Sequence, residues 1–319
     1  MHNRRRYKYG YAYKRGDVMG VFKNKYGQAR SGWLIFLLGI LIICFQLLLV
    51  IPFMKFWGTS SASSPLQSFV IGMSTELAIF LGVVFMWMFV QKKRLGAIGL
   101  HGNGTGWKDT FWGLGLGALS MLVIFIILLG TGAIRVGNGW KSPDFSSSNL
   151  VYLGIFIIVG FCEEFLFRGY LMKTLEDRGN SRWFIYILSS ILFSVAHMGN
   201  MEINAIAVLN IFLVGILFAY MFRVTGSLWM PIGFHITWNY TQGIVFGFPV
   251  SGNPVDSIYH TQMVVGQELL SGGGFGPEGG ILTTILIGLC MMITWIYGKK
   301  TQPPMVQMKY KKNLADVKQ

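Results

Sequence analysis

Charged residues are scarce in this chain. Only 13% of its 319 residues are Asp, Glu, Lys or Arg, whereas 53% are hydrophobic, and the mean hydropathy is +0.51. Soluble globular domains carry roughly 25% charged residues. The shortage excludes a soluble enzyme with an ordinary polar surface.

Cysteine is also scarce. The chain has three cysteines, Cys44, Cys162 and Cys290, and each falls inside a predicted helix. A disulfide framework is typical of small secreted domains with several cysteines at loop positions. The sequence therefore indicates no such framework.

What the chain has instead is a series of long apolar runs. A run of about 18 or more residues with few charges is typical of a membrane-spanning helix. These runs predict an all-α fold, a polytopic transmembrane helical bundle with about eight spans. The fifth span is short and the seventh contains Pro231, so these two are the weakest. The predicted spans are 33–54, 69–91, 110–131, 149–172, 183–198, 204–222, 226–246 and 280–298.

Positive charge is distributed unevenly between the ends of these spans. The net charge is +14, and an N-terminus in the cytoplasm places 23 of the 27 Lys and Arg residues on the cytoplasmic side. Only Lys55, Arg135 and Lys141 fall on the opposite side. This bias follows the positive-inside rule and predicts two cytoplasmic termini, in a prokaryotic plasma membrane. We expect the basic termini to contact anionic lipid headgroups rather than nucleic acid.

The spans divide the chain into segments of different character. Between the last two spans, the predicted external loop has no Lys or Arg, and its stretch 255–270 is expected to form a short interfacial helix. The oligomeric state is left open. The predicted segments are a basic cytoplasmic arm (1–30), accessory transmembrane helices (31–109), a core with unusual polar residues (110–246), the external loop (247–279), and the last span with a basic cytoplasmic tail (280–319).

Ionisable and amide side chains lie inside three of the core spans. A charge at the centre of a spanning helix costs roughly 2.5–3.5 kcal/mol on insertion scales, so such residues are candidates for a functional site. We expect them to have partners within the bundle. They are Glu163, Glu164 and Arg168 in the fourth span, His197 in the fifth, and His235 and Asn239 in the seventh.

Helix geometry separates the two adjacent acids. Glu164 and Arg168 are four residues apart, so they share a face and can pair. Glu163 is turned by about 100° from its neighbour and is left free. Depth along the helices places Glu163 and His235 near the middle of the membrane, and His197 somewhat nearer the outer side.

These residue types together suit amide hydrolysis. A carboxylate and an imidazole can hold and deprotonate a water molecule. A second imidazole and an amide can donate hydrogen bonds to the oxyanion that forms when this water attacks a carbonyl carbon. The sequence therefore predicts a hydrolytic centre below the membrane surface.

Three motifs on successive helices resemble those of a known family. They are EExxxR (Glu163, Glu164, Arg168), FxxxH (Phe193, His197) and HxxxN (His235, Asn239). In this order they resemble the CPBP intramembrane proteases, which include type II CAAX prenyl endopeptidases and bacteriocin-processing or bacteriocin-immunity membrane proteins. The resemblance covers about residues 110–246.

The resemblance implies a role for each motif. Glu163 and His197 would activate the water, and the acidic–basic pair on the same helix would hold the geometry. His235 and Asn239 would form the oxyanion hole. The implied protein is an intramembrane endopeptidase that acts on a membrane-associated, prenylated or secreted peptide. The alternatives are a non-catalytic scaffold or immunity protein of the same fold, and a transporter with a buried proton relay.

Metal dependence is a separate question, because members of this family are often described as metalloendopeptidases. Glu163, His197 and His235 could supply three zinc ligands and leave a fourth position open. The sequence has no HExxH motif, however, and no other acid in these helices could serve as base if Glu163 bound the metal. We therefore favour a mechanism without zinc. Glu76 in the second span is either structural or substrate-gating.

Overall fold

The structure, a computed structural model, describes residues 21–24, 27–57, 65–100 and 106–301. Most of the predicted basic arm and nearly all of the predicted basic tail lie outside these residues. The regular elements of the described residues are helices and one small two-stranded sheet. In chain order its main elements are α1 (Ser31–Trp57), α2 (Pro65–Phe85), α3 (Gly106–Gly130), β1 (Ile134–Val136), α4 (Ser147–Glu164), α5 (Met172–Asp177), α6 (Arg182–Ala196), α7 (Ala205–Thr225), α8 (Trp229–Tyr240), β2 (Thr261–Met263), α9 (Glu268–Ser271) and α10 (Ile281–Thr301).

The predicted all-α membrane bundle is confirmed. Within the described residues, six helical segments are long and apolar enough to cross a membrane. Two predicted spans, 183–198 and 226–246, are shorter than this: they correspond to α6 with 15 residues and α8 with 12. Most of α8 is buried between its neighbours, and a helix enclosed by other helices does not need the full length that lipid requires.

Three of the helices continue into a π-helical turn. The segment Met86–Val90 follows α2, Phe165–Leu171 follows α4, and Thr241–Val245 follows α8. π-turns are rare, and they occur frequently at functional sites because they turn side chains away from their regular helical positions.

Helices α3 and α8 pack at very short range through glycine. A Cβ atom on Gly113 would lie 2.1 Å from the carbonyl oxygen of Met230, and one on Gly233 would lie 2.6 Å from that of Thr110. Thr237 also donates a hydrogen bond of 2.8 Å to the Leu114 carbonyl. Small residues allow the two backbones to come this close. Close packing and hydrogen bonds then hold the helices together, because lipid provides no hydrophobic force between them. The contact fixes α8, which carries His235 and Asn239.

The two ends of the bundle differ in character. At one end, here called the basic end, Lys93 pairs with Asp177, and Arg223 pairs with Glu176 at 3.3 Å. The other end, here called the loop end, carries the connections at 131–146, 197–204 and 246–280.

The long loop at this end is folded against the bundle. Strands β1 and β2 pair antiparallel, with Ile134 opposite Met263. The expectation of a helix over 255–270 was wrong, because the β-strand Thr261–Met263 occupies the middle of that stretch and helix begins only at Glu268. Strand β2 pairs with β1, a long-range contact that the local sequence does not reveal. All three cysteines are free.

Candidate functional site

Glu163 and Glu164 lie at the end of α4, where the regular helix gives way to the π-turn. Gly160, one turn earlier, lets α8 approach, since a Cβ there would lie 3.1 Å from Ile236 and 3.5 Å from the Cβ of His235. The two acids therefore face different surroundings. Glu164 is fully buried, whereas the Glu163 side chain is 16% exposed.

Glu164 forms the predicted ion pair with Arg168. The guanidinium Nη1 donates to Glu164 Oε1 at 2.7 Å, and Nη2 donates to the carbonyl of Gly215 on α7 at 3.2 Å. The guanidinium carbon also lies 4.4 Å from the ring centroid of Phe193 and 5.0 Å from that of Phe218. A buried charge is tolerated only when it is paired and surrounded in this way, so Arg168 joins α4, α6 and α7 at one point.

Glu164 also orients His235. The Nδ1 atom of His235 lies 3.2 Å from Glu164 Oε1, and the imidazole stacks on Phe218 with centroids 5.4 Å apart. An ionised carboxylate can only accept a hydrogen bond, so Nδ1 carries a proton. The neutral ring then has its lone pair on Nε2, and Nε2 donates only in the imidazolium form.

His197 is oriented by a backbone group. It is the first residue after α6, and its Nδ1 lies 2.9 Å from the carbonyl oxygen of Phe193. A carbonyl can only accept, so Nδ1 donates and Nε2 is directed elsewhere. Helix α6 is short and ends where this side chain meets α4. The sequence had placed His197 somewhat nearer the outer side of the membrane than Glu163.

The two Nε2 atoms converge on Glu163. His197 Nε2 and His235 Nε2 each lie 3.9 Å from Glu163 Oε2. Among the described residues, Glu163 Oε2 has no hydrogen-bond partner. A water molecule that hydrogen-bonds at about 2.8 Å can bridge atoms at this separation. The arrangement can hold one water between a carboxylate and either imidazole.

Asn239 lies one helical turn after His235 on α8 and is nearly buried. Its side chain lines the same cavity as Glu163, His197 and His235. All six predicted site residues therefore lie together, with four lining the cavity and the Glu164–Arg168 pair behind them.

The chemistry of these donors would suit zinc, but their spacing does not. Two ligands of a tetrahedral zinc ion with bonds of 2.0–2.2 Å lie about 3.4 Å apart, shorter than the 3.9 Å measured from Glu163 to each imidazole. Within the part of the chain that is described, no group of three His, Cys, Asp or Glu side chains has the geometry of a metal site.

A large cavity leads to this group. It has a volume of about 940 Å³ and is lined by α2, α4, α6, α7 and α8, together with loop residues 250–256. Exposed Asn253 and Asp256 lie at its rim, so it opens toward the loop end. Its wall is mostly apolar and aromatic, and the volume is within the range of small-molecule and peptide side-chain pockets.

Sequence reasoning missed the contribution of α7. The Gly215 carbonyl and the Phe218 ring both hold Arg168, yet this helix has no Asp, Glu, Lys, Arg or His before Arg223 in its last turn. The sequence feature that could have indicated this contact is Gly215 itself. A Cβ on this residue would lie 2.9 Å from the Cβ of Ser190, which marks a close approach of α6 and α7.

The fold is that of an integral membrane protein, and a cluster of polar side chains lies inside its helical bundle. The family model described as Rce1-like, type II CAAX prenyl endopeptidase, matches residues 145–241. That segment contains all six predicted site residues. Over this segment the chain is similar to that family, which confirms the resemblance seen in the three motifs.

A curated protein from Escherichia coli is also similar. The "Uncharacterized 24.3 kDa protein" is 27% identical over 138 residues, which cover 41% of this chain and 62% of that protein. The chain therefore matches less than two thirds of the length of this relative.

Proposed function

We propose that this protein is an intramembrane endopeptidase in which Glu163 activates a water molecule to hydrolyse a peptide bond. One observation carries the proposal: an unpaired carboxylate oxygen lies 3.9 Å from two imidazole nitrogens at the bottom of a cavity large enough for a peptide. A general base must be within reach of the water whose proton it takes.

The reaction begins with the water between Glu163 and His197. Glu163 Oε2 takes a proton from this water, and the hydroxide oxygen forms a bond to the scissile carbonyl carbon. The carbonyl π electrons move to its oxygen, which becomes an oxyanion. His197 keeps the water oriented because Phe193 holds its ring through Nδ1.

The oxyanion is stabilised from α8. The Asn239 amide donates one hydrogen bond, and His235 donates a second from Nε2 when its ring is protonated. The tetrahedral intermediate then collapses, the carbon–nitrogen bond breaks, and Glu163 returns the proton to the leaving amine. The products are a new carboxyl terminus and a new amino terminus, and Glu163 is again ionised.

The Glu164–Arg168 pair does not touch the reacting atoms in this mechanism. Its part is to position, since Glu164 holds His235 through Nδ1 while Arg168 joins the helices behind it. Groups fixed by such supporting contacts lose little orientation during the reaction.

Peptide cleavage by Glu163→Gln protein tests the proposal. Candidate substrates come from comparing membrane and secreted peptides of cells with and without the wild-type protein. They are then assayed with purified protein in nanodiscs, alongside a prenylated and an unprenylated CAAX-type peptide. We expect Glu163→Gln to lower kcat by about 10²–10⁴-fold, with the substrate still bound.

Glu268→Gln is the matched control, because this carboxylate is exposed at the loop end and does not line the cavity. It should cleave at the wild-type rate. If purified wild-type protein cleaves nothing, and cells with Glu163→Gln keep the wild-type phenotype, the protein acts as a scaffold and the proposal is wrong.

A further inference from the structure

A buried carboxyl group from outside the family match also faces the cavity. Glu76 lies on α2, whereas the matched residues begin at 145. Its side chain lines the cavity, and the residue is only 8% exposed. No described residue donates a hydrogen bond to its Oε2 atom. An ionised carboxylate without a partner is costly in such a place, so Glu76 would ionise only when a cation of a bound molecule lies against it.

Aromatic packing fixes the level of Glu76 in the bundle. Phe80, one turn further along α2, stacks on Phe165 with centroids 5.7 Å apart and contacts Phe161 at 6.4 Å. Phe161 and Phe165 lie two residues before and two residues after Glu163. Since Phe80 contacts both rings, Glu76 lies within about one helical turn of the proposed base. It is displaced toward the loop end, where the cavity opens, and the two carboxyl groups interact electrostatically.

The Asp, Glu, Lys and Arg residues described in the cavity wall are all acidic. Four carboxylic acids line the cavity, whereas no Lys or Arg is found among its described lining residues. Glu278 is already satisfied, since Ser251 donates to it from both backbone and side chain, and Asp256 is exposed at the rim. Glu76 is therefore a buried acid between the rim and Glu163 whose ionised form a bound cation would stabilise.

We propose that Glu76 binds a positively charged group of the substrate, an ammonium or guanidinium next to the scissile bond. The inference rests on the proposed peptidase function and narrows its substrates to cationic peptides. The acids of the cavity would attract such a peptide from the loop end. The apolar wall between them would hold the neighbouring side chains, and Glu76 would then place the scissile carbonyl over Glu163.

Peptides that differ only in charge test this proposal. The sequence that the purified protein cleaves is remade with Lys, norleucine, Gln or Glu at each position flanking the scissile bond. Norleucine keeps the aliphatic stem of Lys and removes the ammonium. We expect the wild-type protein to prefer Lys over norleucine at one position by about 10- to 100-fold in kcat/KM, as for hydrogen bonds between charged groups.

The Glu76→Gln variant should remove this preference. Its ratio of kcat/KM for the Lys and norleucine peptides should fall close to one, with the change carried by KM, because Glu76 holds the substrate equally before and during the reaction. The Glu268→Gln control should keep the wild-type ratio. Peptides with a free and an acetylated amino terminus distinguish the two sources of the cation. If the amino terminus is the group bound, acetylation lowers cleavage by the wild-type protein but not by Glu76→Gln; if a side chain is bound, acetylation leaves the preference for Lys unchanged.

The outcomes separate this inference from the peptidase proposal. Equal effects of Glu76→Gln on both peptides would overturn the inference and give Glu76 a structural or proton-holding role. Cleavage that depends on Glu163 but ignores peptide charge would overturn it too and leave the peptidase proposal standing. If no peptide is cleaved, the CAAX-type peptide of the cleavage assay is remade with Lys or with norleucine. Equal affinities of these two peptides, for wild-type and for Glu76→Gln protein in nanodiscs, then contradict the inference.

Discussion

Two carboxylates that are adjacent in the sequence lie in opposite environments. On the closed side of the site, Glu164 is fully buried and is bound by Arg168 and His235. On the open side, Glu163 lines the cavity, its side chain is 16% exposed, and its Oε2 atom lies 3.9 Å from two imidazole nitrogens. One helix thus carries a charge that stabilises the fold next to a charge that is free to react. Burial and partners, rather than residue type, decide which role a carboxylate has.

The largest effect is expected on the closed side. Glu164→Gln leaves the guanidinium of Arg168 buried without its carboxylate, and breaking a buried pair in this way costs about 3–5 kcal/mol. The midpoint of thermal unfolding in detergent should fall sharply, whereas Glu163→Gln should leave it nearly unchanged. Equal midpoints for the two variants would show that Glu164 on the closed side and Glu163 on the open side do not differ in their contribution to stability.

A double variant sharpens this test. Glu164→Gln combined with Arg168→Met removes both charges, and replacing a whole buried pair by neutral groups is often tolerated. The double variant should therefore unfold at a higher temperature than Glu164→Gln alone. If it is less stable, the loss comes from packing around Arg168 rather than from an unpaired charge.

A smaller effect is expected at the α3–α8 contact, which supports the closed side. Gly113→Ala places a methyl group 2.1 Å from the Met230 carbonyl, so the two backbones must separate. Overpacking of this kind costs about 1–3 kcal/mol, and the thermal midpoint should fall accordingly. Peptidase activity should fall as well, because α8 carries His235 and Asn239.

Gly115→Ala is the matched control in the same helix. A Cβ on Gly115 meets nothing within 4 Å, and alanine favours helix over glycine by about 1 kcal/mol. Its stability should equal or slightly exceed that of the wild-type protein. A loss as large as that of Gly113→Ala would mean that glycine matters here for flexibility and not for close approach.

How far the sequence predicts this site depends on which helix is considered. On α4, α6 and α8 the signal is strong, because Glu, Arg and His inside apolar runs are costly and must meet partners. Helix α7 shows no such signal, since its contribution is a backbone carbonyl at Gly215 and the ring of Phe218. A carbonyl is present at every residue, so only the folded chain reveals which one Arg168 reaches.

The same limit applies to the secondary structure, where local sequence predicts some elements and not others. Six helices match predicted spans closely because length and apolarity alone define them. The π-turn after Glu164 and the pairing of Ile134 with Met263 depend on contacts between distant segments. Glu76 was recognised from its charge, but its place beside the Glu163 cavity depends on Phe80 packing against α4.

The smallest effect is expected from removing metal, and it tests the open side. In our proposal Glu163 is the base and no zinc ion takes part, in keeping with a spacing of 3.9 Å to each imidazole. Treatment of the purified protein with 1,10-phenanthroline, followed by gel filtration, should leave peptide cleavage within about twofold of a mock-treated sample, since catalytic zinc contributes far more than this. Loss of activity that added Zn²⁺ restores would contradict the mechanism. It would mean that Glu163, His197 and His235 close by a few tenths of an ångström around a metal ion, so that another group must take the proton from water.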